Sequence, residues 1–209
     1  MKMRKVITTF EEVIEVYSQR YASGLNKELG YFRELGKLTD MNAEKISMDL
    51  VNGSHQRYLN FPAAIAYRDE AVRKLAEAKL WDKNFSDFES LYDAVCEVMK
   101  GIPYIKDLVK YDVSKRLSVM LTPEVAPESF VYIQNGAKVG AKKLLGKSLD
   151  DVKRLPKSCF ELFFPNLSSV HIENILCIMK DYFTLEGVSI HEDEKIEICY
   201  FDYDNLKEC

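Results

Sequence analysis

At 209 residues, with 47% hydrophobic and 30% charged side chains, the chain is long enough to bury a core and too apolar to be disordered. Its net charge of −4 argues against a protein that coats nucleic acid indiscriminately. No apolar run approaches the roughly 20 residues that span a bilayer, so no membrane contact is expected. The basic start Met1-Lys2-Met3-Arg4-Lys5 is soon followed by Glu11-Glu12, which leaves no room for the apolar region of a secretory signal. A cytoplasmic protein is expected.

In chain order, Thr8-x-x-Glu11 reads as a capping box opening a helix with Phe10, Val13, Ile14, Tyr17 and Tyr21 on one stripe. Gly24 is expected to end it, and a second helix runs from Leu25 to Leu35, stopping at Gly36. Thr39 to Leu50 reads as a third, short helix. Residues 54–61 read as a connection, and Pro62 suits the first position of a helix reaching Leu80. Ser86-x-x-Glu89 is a second capping box, for a helix with Phe88, Leu91, Tyr92, Val95 and Met99 inward, which Gly101 ends. Pro103 is expected to start the next helix, whose apolar face holds Ile105, Leu108, Val109, Val113, Leu117 and Met120. Thr122-Pro123 and Ala126-Pro127 break the chain, and Phe130 to Ile133 reads as a short strand or an extended segment. Gly136 to Leu145 is a short helix, Ser148-x-x-Asp151 caps a further turn, and Leu167 to Phe183 is the last strong helix. Alternation from Lys195 to Tyr203 predicts a strand. The fold class is therefore mainly α: one compact multi-helix domain over residues 1–185, with an acidic tail over 186–209 packed on it as a small β appendage.

The five cysteines are scattered and form no C-x-x-C pair, and His55, His171 and His191 are far apart. Reduced, mostly buried thiols are expected, with no metal centre and no cofactor. Charge is unevenly spread. Residues 137–157 carry seven basic side chains against Asp150 and Asp151, whereas residues 186–209 carry eight acidic ones against two lysines.

Lys138 and Lys142 share a helix face, and with Lys143 they form a candidate ridge for phosphates, where Gly136 and Gly140 permit close backbone approach. A solvated helix face, or one docked on the molecule's own acidic tail, is the other reading. Gly140-Ala141 reads as a tight helix-packing contact, because the chain has no Gly-x-Gly-x-x-Gly or Walker pattern. His55, Gln56 and Arg57 sit in a connection, where polar side chains are free to serve a ligand. Asp112 and Arg116, spaced i, i+4, pair with each other or orient Tyr132, Asn135 or Lys138. The twelve tyrosines offer surfaces on which bases stack, although tyrosine at helical spacing usually reads as core.

Two resemblances follow from these motifs. The turn Lys100-Gly101-Ile102, then Val131-Tyr132-Ile133 and a basic helix from Gly136 to Leu145, resembles the helix-hairpin-helix core of the DNA glycosylase superfamily. That resemblance implies a helix-hairpin-helix corner that holds a DNA phosphate at Gly101, with Lys106 beside it. The chain departs from the pattern at Pro103, which removes one N–H donor from the hairpin, and Lys106 falls one place beyond the Schiff-base lysine of bifunctional members. It departs again at Ile133-Gln134-Asn135, where the family carries the carboxylate that stabilises an oxocarbenium-like centre. The resemblance thus implies the scaffold without its excision chemistry.

The second rests on His55-Gln56-Arg57, Gly101-Ile102, Tyr111-Asp112-Val113 with Arg116, Val131-Tyr132-Ile133 with Gly136, Gly140-Ala141, and Glu173 before Leu176-Cys177-Ile178. Over residues 55–180 this order is similar to a family of uncharacterised bacterial helical proteins, in which His stands at the position of Asn135. It implies a bacterial source and a helical fold.

The expectation is a non-catalytic DNA-binding protein on a degenerate helix-hairpin-helix scaffold. The alternative is a helical interaction or structural module, with a protein partner or a second copy of the chain and no nucleic-acid role.

Overall fold

The computed structural model describes residues 6–38, 42–52, 59–189 and 191–192. In chain order the elements are β1 (Val6–Ile7), α1 (Phe10–Arg20), α2 (Ala22–Leu35), α3 (Ala43–Val51), α4 (Pro62–Ala78), α5 (Phe88–Val98) and α6 (Asp107–Ser118). They continue with β2 (Phe130–Tyr132), α7 (Asn135–Leu145), β3 (Arg154–Pro156), α8 (Ser169–Ile178), β4 (Phe183–Thr184), β5 (Gly187–Val188) and β6 (His191–Glu192). The protein is mainly helical, as the periodicity predicts. The described residues divide into two compact units, one formed by residues 24–126 and the other joining residues 6–23 to the chain from 127 onward.

The unit formed by residues 24–126 is built around α6. Every residue from Tyr111 to Ser118 is buried, so this helix has no solvent face over its last two turns. Val109, Val113 and Leu117 meet Phe32, Leu50, Leu75, Leu91 and Val95 in one core. Helix α3 packs on α4 and on α6, and α5 packs on α6.

The other unit joins residues 6–23 to the chain from 127 onward. Its centre is the crossing of α7 and α8, with Ala137, Ala141 and Leu144 against Ile172, Ile175 and Leu176. Phe10, Phe163, Phe164 and Phe183 form an aromatic cluster with centroids 5.1–6.5 Å apart. Among the described residues the strands pair as three antiparallel two-stranded ribbons, β1–β6, β2–β3 and β4–β5. In β2–β3, Val131 stands opposite Leu155 and Tyr132 opposite Arg154.

Several element ends differ from the sequence reading. Both capping boxes sit one residue later than predicted. Thr9, not Thr8, caps α1, because the Glu12 carboxylate then accepts from Thr8 N, Thr8 Oγ1 and Thr9 N. Asp87 caps α5 in place of Ser86, accepting from Ser90 N at 2.7 Å, and leaves Phe88 as a buried first helical residue. The break after α1 falls at Tyr21, so Gly24 lies inside α2. Helix α6 starts at Asp107 rather than Pro103, since residues 99–106 form a turn that buries both Ile102 and Ile105. Helix α8 stops at Ile178; a 3-10 turn over 180–182 then swings Tyr182 and Phe183 into the core. Ser148 bonds the Asp150 carboxylate without starting a helix. The predicted strand over 195–203 and the start of the third helix at Thr39 lie outside the described residues.

Candidate functional site

Two gatherings of ionisable groups, one in each unit, include the expected site residues. The first is inside the α6 unit. Arg116, 1% exposed, donates from Nε to Glu28 Oε1 at 2.6 Å and from Nη1 to the Leu50 carbonyl at 2.6 Å. Its guanidinium carbon lies 5.8 Å from the Phe32 ring centroid. Asp112 pairs with Lys115 Nζ at 3.1 Å, and that ammonium lies 5.8 Å from the Tyr111 ring. Two ion pairs, Arg116–Glu28 and Lys115–Asp112, thus meet in this cluster. Burial raises the pKa of Glu28, but the charges of Arg116 and Lys115 together with the Arg116 hydrogen bond outweigh it and hold the carboxyl below its ordinary 4.5. A buried, mutually paired cluster of this kind specifies packing and offers a ligand no open approach.

The second gathering surrounds the start of α7. No side chain caps this helix at Gln134, and its first turn holds no acidic residue, so its N-terminal partial positive charge is not neutralised locally. Gln134 Nε2 reaches the Lys153 carbonyl at 3.4 Å, and Ile133 N donates to the same carbonyl at 2.9 Å. These bonds bring Lys153 and the start of β3 beside the α7 N-terminus. Lys138 Nζ donates to the Asp150 carbonyl at 2.9 Å, and its charge adds to those that hold the Asp150 carboxyl below its ordinary range. Arg154 is exposed, 4.6 Å over the Phe130 ring, and donates from Nη1 to Tyr132 Oη at 3.1 Å. Two aromatic rings thereby hold its guanidinium in place.

The other lysines of the expected ridge are occupied. Lys142 pairs with Asp150, and Lys143 Nζ pairs with Asp181 at 2.9 Å. The Lys142 hydrogen bond, then that of Ser148, holds the Asp150 carboxyl below its ordinary range. Asn135 is the exposed first residue of α7, with a left-handed φ of 40°.

Gly101 and Lys106 lie in the other unit. Gly101 has φ 76° and is exposed, and Lys106 precedes α6 without capping it by its side chain. Asp107 stands in the first turn of α6, where its carboxylate already satisfies the helix dipole that a phosphate would use. His55, Gln56 and Arg57 lie outside the described residues. The expected set is thus divided, with Gly101, Lys106, Asp112 and Arg116 in one unit and Asn135, Lys138, Lys142 and Lys143 in the other.

The sequence does not single out Glu28 or Lys115, and it marks Lys153 and Arg154 only as part of the basic segment that runs on from Lys138. Lys153 and Arg154 were legible in the excess of positive charge over 137–157, whereas nothing local marks Glu28 as the partner of a residue 88 positions away. Among the described residues no group of three or more histidine, cysteine, aspartate or glutamate side chains is placed to hold a metal ion, and no helix is long and apolar enough to cross a membrane. No family model, curated protein or solved structure matches the chain.

Proposed function

We propose that the protein binds DNA without acting on it chemically, through the basic surface around the start of α7. The observation that supports this reading is that the Lys153 carbonyl is bonded to Ile133 N and Gln134 Nε2 just before α7, whose N-terminus has no side-chain cap and no acidic residue in its first turn, while Lys138 and Arg154 belong to the same basic segment. Cations and oriented N–H groups at one place suit a phosphate ester. Phosphate contact is proposed for Lys138, Lys153 and Arg154, the basic residues of the 137–157 segment nearest the start of α7 and of β3. Excision chemistry is not part of the proposal, because Gln134 and Asn135 supply no carboxylate where the glycosylases carry one.

The test is titration of a short labelled duplex at several salt concentrations. Affinity is expected to fall steeply with salt, and the combined variant Lys138→Glu, Lys153→Glu, Arg154→Glu is expected to abolish it. Absence of binding by the native chain at low salt overturns the reading. A second reading, a protein-interaction module, is favoured by Leu162, 87% exposed in the same unit. It predicts a complex or self-association, seen by sedimentation, that Leu162→Glu removes.

A further inference from the structure

A groove of about 600 Å³ lies between α3 and α4, wholly within the unit formed by residues 24–126. Its lining follows two helix faces. Glu44 and Met48 stand one turn apart on α3, and Arg68, Val72 and Ala76 follow one another a turn at a time along α4. The floor is apolar: Val72 is buried, and half-buried Met48 and Ala76 leave part of their surface to the groove. The thioether of a methionine adapts to ligands of different shape, and the small side chain of Ala76 keeps the groove open. The volume is that of pockets which hold small organic molecules.

The rim is charged, and most of it is closed on itself. Arg68 donates from Nε and Nη2 to Asp69 Oδ1 at 3.0 and 2.9 Å, and from Nη1 to Asn60 Oδ1 at 2.9 Å. Arg73 Nη1 donates to Glu77 Oε1 at 2.6 Å. Glu44 stands apart. Its side chain is exposed and has no ion pair among the described residues; the adjacent Lys45 reaches Asp49 at 2.8 Å instead. Two arginines against three carboxylates thus leave one negative charge beside the apolar floor.

We propose that the groove binds a small cationic amphiphile, with its apolar body on Met48, Val72 and Ala76 and its ammonium group at Glu44. The site is independent of the proposed DNA surface, which belongs to the other unit. Glu44 also stands in the first turn of α3, where a carboxylate favours the helix dipole without any ligand. Charge preference in binding, rather than stability, therefore separates the two roles.

The probes are phenylpropylammonium, phenylpropanol and phenylpropionate, which share an apolar body and differ in charge. Each is titrated into the isotopically labelled full chain while amide shifts are followed, and Tm is measured for every variant. Saturable shifts are expected at the amides of Met48, Val72 and Ala76, with millimolar dissociation constants. The ammonium should bind about fivefold more tightly than the alcohol, the upper end of what an exposed ion pair supplies, and the carboxylate most weakly. Glu44→Gln should abolish the preference for the ammonium over the alcohol, and Glu44→Lys should place the carboxylate ahead of the ammonium. Both replace an exposed side chain and should leave the chain folded at the native Tm or within a few degrees of it. Ala76→Leu, which fills the groove, should weaken all three probes.

Absence of saturable shifts at these amides with every probe overturns the proposal. So does equal binding of the three probes by the native chain, or a preference for the ammonium that survives in folded Glu44→Gln. Unchanged affinities in folded Ala76→Leu overturn it as well; if that variant does not fold, the two Glu44 variants decide. Duplex titrations are unaffected by any of these outcomes, so the DNA reading stands or falls separately.

Discussion

Arg116 illustrates how much one side chain can depend on residues far away in sequence. It is among the largest fully buried side chains of the described residues, and its guanidinium is held by a carboxylate from α2 and a carbonyl from the end of α3. Removing one partner of such a pair leaves the other charged and dry, so Arg116→Met is expected to cost about 3–5 kcal/mol. Urea unfolding followed by the fluorescence of Trp81, the one tryptophan, measures this; a loss under about 1 kcal/mol would match an exposed pair instead. Acid is expected to act on this cluster as well. The Glu28 pKa is lower folded than unfolded, so its contribution is present above about pH 4.5 and is lost as pH falls through the folded value. His171 behaves differently, because burial lowers the pKa of a base. Its Nδ1 stands 2.8 Å from Tyr17 Oη, and the folded state favours the neutral ring. Stability is therefore complete above about pH 6.5 and declines as pH falls below it, because the unfolded chain takes up the proton first. Unfolding free energies measured from pH 7 down to 5 should show this slope in the native chain and lose it in His171→Gln.

Among the elements, the α7–α8 crossing is the most exacting. A Cβ on Gly140 would overlap the Leu176 carbonyl oxygen, and one on Gly136 would lie 2.6 Å from Cys177 Sγ. A backbone oxygen inside a helix cannot turn aside as a side chain can. Gly140→Ala is therefore expected to cost ~3 kcal/mol or more, the upper end of the range for overpacking. Val139→Ala, one residue away on the exposed side of α7, should stay within about 0.5 kcal/mol. Thermal melts of the two variants against the native chain decide the matter. The Gly140-Ala141 pair is readable in the sequence as close packing; Gly136, expected with Gly140 to give a phosphate room, instead faces Cys177 of α8, and which atoms the glycines meet is not written in the sequence. The capping boxes teach a related lesson. Both windows were legible, but Thr8 and Thr9, or Ser86 and Asp87, offer adjacent caps, and only the burial of the first helical turn chooses between them.

At the scale of the whole molecule, the described residues form two hydrophobic cores. Each has a central helix with almost no solvent face, so hydrogen exchange is expected to show two sets of slow amides, one in α6 over 111–118 and one in α8 over 172–178. Fast exchange throughout either helix would contradict that organisation. Charge is also organised at this scale. The net charge of −4 conceals the positive segment 137–157, and part of that segment is answered by Asp150 and Asp181. If Lys138 and Lys153 contact phosphates, replacing either by Gln should lower the slope of log affinity against log salt by about 1, whereas Lys143→Gln should leave it unchanged.

Helical class, most helix centres, the turn at Gly101 and the positive segment were all written locally, in periodicity, breakers and charge. These features depend on neighbours within a few residues, so the sequence by itself determined them. The partition into two units, the pairing of Arg116 with Glu28, the loss of Lys142 and Lys143 to carboxylates and the groove between α3 and α4 depend on residues brought together only by folding. Coulombic and packing energies fall off over a few ångströms of space, not of chain, and for that reason only the tertiary structure decided them.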